Sequence, residues 1–397
     1  MNAWKKLACG LLIGYGALSM PAMADDGAEP PKQEVKEEAK APKVDVVFVL
    51  DTTGSMGGLL DGAKRKIWSI ANEIARGKPT PDIRIGLVAY RDKNDAYVTQ
   101  ETDLTDDLDG IFKKLQGFKA GGGGDGPEHV NAGLKAGIEK MSWSTEKEAL
   151  RIIFLVGDAP PHEDYGDDFD HNSLAKAAIG KDIIVNTIRC GGDAETGRIW
   201  GEIARKAEGT FVTIDQGGGV AAISTPFDKE LAELGGKLGG TRIAFGELRR
   251  RKEMEDKSKD AEEALAGAGD DMKADRAGAM SKGAGAPAAP AEAGGRWGGD
   301  LIGAIEEGSK KLADVKEEEL PDDMKKMTPE EREKHVAAKI AERKEIKAKI
   351  EDLDAKRAQY LKDELAKLGS KDGFDSAVQK AIHEQAAKKG IKFEAAK

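Results

Sequence analysis

An open, mainly parallel α/β sheet with helices on both faces (doubly wound), followed by a flexible linker and a helical C-terminal region, is the architecture predicted for this 397-residue chain. Three observations carry it. Apolar, β-branched runs recur between Val44 and Thr241 and are too continuous for one-sided strands, so they mark strands buried on both faces. Segments with helical apolar spacing separate them, and that alternation is the pattern of a parallel sheet with crossover helices. Further on, glycine, alanine and charge replace the apolar runs.

Residues 1–24 read as a secretory signal peptide: Lys5 and Lys6, an apolar stretch Leu7–Ser19, then Ala22-Met23-Ala24 as the small-x-small cleavage site. The apolar stretch is shorter than the ~20 residues that a bilayer span needs. Cleavage leaves Cys190 as the lone cysteine, which excludes a disulfide scaffold. An exported protein, periplasmic or secreted, is expected. Residues 25–43, rich in Pro, Glu and Lys, form a disordered tether. Strands follow at Val44–Leu50 (VDVVFVL), Ile83–Tyr90, Arg151–Gly157, Asp182–Arg189 and Thr210–Ile214. Between them Leu59–Arg76 places Leu60, Ala63, Ile67, Ile70 and Ile74 on one helical face; Val130–Met141, Ile199–Ala207 and Phe227–Leu238 repeat the spacing. These elements make residues 44–245 the α/β domain.

Residues 246–299 read as a charged helix, with Arg249-Arg250-Arg251-Lys252 on a solvated face, and then a Gly/Ala/Pro-rich flexible linker from Ala266 to Gly299. Residues 300–397 read as helical, with a coiled coil as one option. Thr328-Pro329-Glu330-Glu331 is a capping box opening a helix that runs to Leu368. Its seam of Val336, Ile340, Ile346, Ile350, Leu353, Leu361, Leu365 and Leu368 needs cover from a hairpin or a partner helix. Helices at Asp300–Val315 and Asp375–Lys388 are candidates, and oligomerisation through the tail is the alternative. The net charge of −10 disfavours nucleic acid, whose nonspecific binding needs clustered Lys and Arg. No transmembrane segment is expected in the mature chain.

The chemistry gathers where buried strands end. Asp51, Thr53 and Ser55 follow the first strand and offer a carboxylate and two hydroxyls, oxygen donors of the kind hard divalent cations take. Asp158 ends another buried strand, and ligands of open α/β sheets bind outside the strand carboxyl ends. A purely structural alternative has Asp51 and Ser55 capping the next helix.

These residues carry a resemblance. VDVVFVLDTTGSM is similar to the opening of a von Willebrand factor type A (vWA) domain, with the D-x-S/T-x-S metal-ion-dependent adhesion motif on Asp51, Thr53 and Ser55, and FLVGDAPPH resembles the later strand that supplies Asp158. The resemblance covers Val44 to Phe245. The family adds a Thr from an intervening loop; here Gly121–His129 reads GGGGDGPEH, so the resemblance puts Asp125 in that position, with Glu128 as the lesser candidate. TPFDKELAELGGKLGG and GFDSAVQKAIHEQAAKKGIKF resemble a bacterial secreted subfamily with a charged helical C-terminal region. What the resemblance implies is a non-enzymatic, metal-dependent protein-binding (adhesion or scaffold) module of the bacterial envelope. Its metal ligands would be Asp51, Thr53, Ser55, Asp125 and Asp158, around Mg²⁺ first, with Ca²⁺ or Mn²⁺ as alternatives. A third carboxylate would hold metal more tightly and leave it less receptive to a partner's acidic side chain. The partner would be a protein, met through the metal face or the C-terminal helices. Two rivals stay open. The metal can be a permanent staple with the helices carrying the interaction, or the ion can assist hydrolysis, for which His162 or Glu128 would have to be the general base.

Weaker signals point to structure. His162–His171 is dense in potential ligands but lacks EF-hand and HExxH spacing, so a solvated acidic loop is expected. The glycines at 121–126 lack the Gly-Lys-Ser/Thr of a nucleotide loop and are expected to allow close backbone passage. Cys190 is expected to be packing.

Overall fold

The computed structural model describes residues 41–124, 126–214, 223–283, 299–367 and 373–393. The signal peptide, nearly all of the tether, Asp125, the 284–298 part of the expected linker and Leu368 lie outside the described residues. A six-stranded sheet has the order β3-β2-β1-β4-β5-β6. Central β1 (Lys43–Asp51) pairs in parallel with β2 (Asp82–Tyr90) and β4 (Leu150–Gly157); β5 (Ile183–Cys190) and β6 (Phe211–Ile214) extend the sheet in parallel. One strand escaped the apolar pattern. β3 (Thr99–Thr105, TQETDLT) is a polar, antiparallel edge strand.

The continuity of the VDVVFVL run follows from its use. Val44, Val46, Phe48 and Leu50 face a layer containing α1 (Leu59–Ala75) and α2 (Leu108–Gly117). Val47 and Val49 face the opposite layer, of α3 (Val130–Glu139), α4 (His171–Gly180) and α5 (Ala194–Lys206). The expected mainly parallel, two-sided α/β architecture is therefore the one observed.

The tail departs from expectation. After α6 (Asp228–Gly239) and α7 (Leu248–Ala266), residues expected to belong to a flexible linker form α8 (Asp270–Ser281), whose residues from Ala274 onward are buried. The Gly/Ala composition serves close helix packing. A Cβ on Gly235 would sit 2.9 Å from that of Ala277, and one on Gly278 would sit 2.8 Å from the Asn72 amide and 2.9 Å from Asp354 Oδ1. Nor is Arg251 on a solvated face: it is buried and its Nη1 donates to the carbonyls of Glu318 (2.7 Å) and Leu320 (2.8 Å).

The long helix α11 (Pro329–Lys367) finds its cover within the chain, after α9 (Leu301–Glu306) and the short α10 (Asp322–Lys325). Ile346 and Ile350 pack with Leu231, Leu234 and Leu238 of α6 and Ala277 of α8, while Val336 packs with Leu301 and Ile302 of α9. The last helix, α12 (Gly373–Ala387), covers the sheet rather than α11. Its Val378, Ile382 and Ala386 join the α1 layer, and Gln385 exchanges hydrogen bonds of 2.8 and 3.2 Å with Asn186 of β5. The described residues of the helical C-terminal region thus pack against the α1 layer, α6 and α8. Buried ion pairs fasten it. Arg357 of α11 bonds Asp228 (2.6 Å) and Asp275 (2.7 Å), and Asp354 receives Arg76 (2.9 Å), Lys282 (2.8 Å) and Asn72 (3.1 Å). Among the described residues, no helix is long and apolar enough to cross a membrane.

Candidate functional site

At the carboxyl end of β1 the chain breaks from the sheet into a 3-10 turn, Gly54–Met56, and then α1. Asp51 ends the strand with no exposed surface. Its Oδ1 accepts from the Thr53 backbone N–H (2.8 Å) and hydroxyl (2.6 Å), while Oδ2 is buried without a hydrogen-bond partner. Thr53 Oγ1 lies 3.2 Å from Ser55 Oγ, which donates to Asp158 Oδ1 at 3.0 Å. The two strand-end acids and two hydroxyls expected from the sequence therefore form one connected chain.

Glu128 enters the same site. Its backbone N–H donates to Pro160 O (3.0 Å) and its carbonyl accepts from His162 N–H (3.0 Å), a one-residue bridge that ties it to the loop carrying Asp158. Glu128 is only 3% exposed, and its Oε2 has no hydrogen-bond partner. The glycine loop makes the room. Gly122 and Gly123 have φ of +78° and +77°, the left-handed region, where glycine alone is free of Cβ strain. A Cβ on Gly123 would lie 2.8 Å from Glu128 Oε1 and 3.4 Å from Thr53 Cβ. Gly121 N–H to Thr52 O and Gly54 N–H to Gly122 O (both 3.1 Å) pin this loop over the β1 turn. The result is a cleft of about 290 Å³ lined by Gly54, Ser55, Gly122, Gly123, Gly124, Gly126, Glu128, Asp158 and Ala159.

The electrostatics are those of crowded acids. Burial pushes the Asp51 carboxyl up to about 7, against the pull of its Thr53 hydrogen bonds and with help from the Asp158 charge. Burial, then the charges of Asp51, Asp92 and Asp95, push Glu128 up to about 8. Burial raises Asp158 as well. Each carboxylate lacks a compensating cation in the cleft, where no Lys or Arg is among the described lining residues. Among the described residues no three His, Cys, Asp or Glu side chains form a preassembled metal cage. The donor set is instead mixed: Asp51, Asp158 and Glu128 oxygens with the Thr53 and Ser55 hydroxyls. Two buried carboxylate oxygens without partners fit a hard divalent cation.

Other expectations are placed as follows. Asp125 lies outside the described residues, so of the two loop acids it is Glu128 that the structure brings to the site. His162 does not line the cleft. Its Nδ1 is 2.7 Å from Asp164, and its ring stacks on Tyr165, whose hydroxyl donates to Asp92 at 2.5 Å. The loop expected to be solvated is thus anchored at both histidines, His171 being buried and paired with Glu163 at 2.5 Å. Cys190 is buried and free, and burial pushes its thiol up. Tyr90 was not singled out from the sequence. Its buried hydroxyl, without a hydrogen-bond partner, and Asp51 Oδ2 lie 2.5 and 3.0 Å from one point beside Gly157, where any Cβ would collide.

Residues 45–208 match the family model for the von Willebrand factor A domain. The six-stranded, mostly parallel sheet flanked by helices is a von Willebrand factor A-like fold. The chain is similar to Alpha-protein kinase vwkA of Dictyostelium discoideum, 28% identical over 155 residues, 38% of this chain and 24% of that protein. It is similar to von Willebrand factor A domain-containing protein 7 of Homo sapiens, 31% identical over 122 residues, 31% of this chain and 12% of that protein. It thus spans a quarter or less of the length of these curated relatives. A solved structure of proximal thread matrix protein 1 from the mussel byssus, with a zinc-occupied MIDAS motif, matches at 15% identity and a TM-score of 0.35, covering 44% of this chain and 42% of that one. The matched segment brings Ser55, Glu128 and Asp158 to one cleft, with Asp51 and Thr53 joined to them by hydrogen bonds.

Proposed function

We propose that the von Willebrand factor A domain binds one divalent cation, Mg²⁺ in the first instance, through Asp51, Thr53, Ser55, Asp158 and Glu128, and uses the loaded face to bind a protein partner without catalysing a reaction. The observation that carries the reading is the buried Asp51 carboxylate, whose Oδ2 has no partner although two further acids stand beside it. Uncompensated buried charge is costly, and a divalent ion set among the three acids offsets most of that cost. The exposed Ser55 and the glycine rim leave the ion's outer side open to a partner's oxygen. The leader-like sequence of residues 1–24 supports export to the periplasm or beyond. The Val336–Leu353 part of the α11 seam is engaged with α6, α8 and α9, which favours the metal face over the helices as the place of contact.

Thermal melting of the full chain tests this, run with chelator and then with Mg²⁺, Mn²⁺ or Ca²⁺. An ion at about 100 times its dissociation constant is expected to add about 2.7 kcal/mol to the wild type and nothing to Asp51→Ala. Capture of a partner by the immobilised chain should then need the ion. Identical melting in chelator and in every metal would refute the reading.

A further inference from the structure

We propose that Glu128 saturates the cation's charge from within the chain, so that the loaded face takes neutral oxygen donors, the carbonyl, amide or hydroxyl oxygens of a partner, in preference to carboxylates. This deepens the cation-binding reading above and rests on it. Asp51 and Asp158 alone balance a divalent ion. Glu128 makes the set net negative, and it cannot swing away. It is bridged through both backbone groups to Pro160 and His162, it is 3% exposed, and Gly123 leaves room for its Oε1 where a Cβ would stand 2.8 Å away. Its Oε2 has no hydrogen-bond partner.

The surroundings add negative charge. Asp92 takes the neutral Tyr165 hydroxyl, and Asp95 takes the backbone N–H groups of Gly123 (2.9 Å) and Asp92 (3.2 Å). The cations nearby in sequence are turned elsewhere. Lys93 lies 4.0 Å from the Tyr165 ring centre and 3.4 Å from Asp167, and Arg91 donates to Lys119 O at 2.6 Å. An incoming carboxylate therefore meets like charge that a neutral oxygen does not.

The test uses the full chain at pH 8 with Mn²⁺, first counting bound ion by the loss of the free-ion EPR signal. Water-proton relaxation then reports water displaced from the bound ion. Acetate and N-methylacetamide are titrated in turn into wild type and Glu128→Gln, which keeps shape and loses charge. In the wild type the neutral amide is expected to lower relaxivity at smaller concentrations than acetate. In Glu128→Gln acetate should act at concentrations on the order of tenfold lower than in wild type, the scale of one like-charge contact near a surface. Equal acetate response in the two proteins, or acetate preferred by wild type, overturns the selectivity. Wild type that binds no Mn²⁺ overturns the cation reading itself, and the EPR count separates the two failures.

Discussion

Asp51→Asn should make the metal-free protein more stable at pH 8 and less responsive to metal. In the folded state burial holds the Asp51 carboxyl at about 7, against 3.8 ordinarily. Between those values the unfolded chain has released a proton that the folded chain retains, so stability is complete below about pH 4 and falls as pH rises through 7. A displacement of about three pH units, at ~1.36 kcal/mol each, amounts to about 4 kcal/mol lost by pH 8, of which about 1.5 kcal/mol has gone by pH 5. The amide keeps an oxygen for the two Thr53 hydrogen bonds and cannot ionise. It leaves an NH₂ in the Oδ2 position, a cost of about 1–3 kcal/mol that does not vary with pH. The stability difference between Asn variant and wild type should therefore move in favour of the variant by about 2.5 kcal/mol between pH 5 and pH 8. Urea denaturation in chelator at the two pH values measures it. Saturating Mg²⁺ or Mn²⁺ should erase the variant's advantage by stabilising wild type alone. Parallel pH profiles for the two proteins would refute the reasoning, because they would mean that Asp51 ionises without penalty.

Further predictions concern the clasp between tail and sheet. Arg357→Ala removes the guanidinium that pairs with Asp228 and Asp275 in a buried place and should cost about 3–5 kcal/mol by urea denaturation. Gly278→Ala drives a methyl into Asn72 and Asp354, and a loss of about 1–3 kcal/mol is expected, with α8 the first segment to gain hydrogen exchange. Arg76 and Lys282 hold Asp354 well below the usual carboxylate range. Its contribution is present above that range and is lost as pH falls through it, so Asp354→Asn should flatten the acid limb of the stability profile.

The sheet was legible because its strands are buried on both faces: VDVVFVL has no polar alternation to blur it, and the Asp51 and Asp158 ends follow from the same runs. TQETDLT was not legible, since an edge strand with one covered side needs little apolar surface. The α8 segment was misread for a physical reason. Ala274, Ala277 and Gly278 have the composition of a flexible linker, and only their neighbours reveal that small side chains let α8 approach Asn72 of α1, Gly235 of α6 and Asp354 of α11. Nor does sequence show that α12 lies on the sheet, because Val378, Ile382 and Ala386 are an ordinary helical stripe until Asn186 and Gln385 face each other. In the site, Thr53 and Ser55 were readable from spacing. Glu128 needed the bridge to Pro161, a contact that no local pattern encodes.

Isothermal titration of Mg²⁺ into the chelator-dialysed full chain at pH 7, in two buffers of different protonation enthalpy, tests the central claim most directly. The account predicts one ion per chain and proton release on binding, since burial holds Asp51 at about 7 and Glu128 at about 8 until a cation discharges them. Absence of saturable heat for Mg²⁺, Mn²⁺ and Ca²⁺ alike, or binding that persists unchanged in Asp51→Ala, would contradict it.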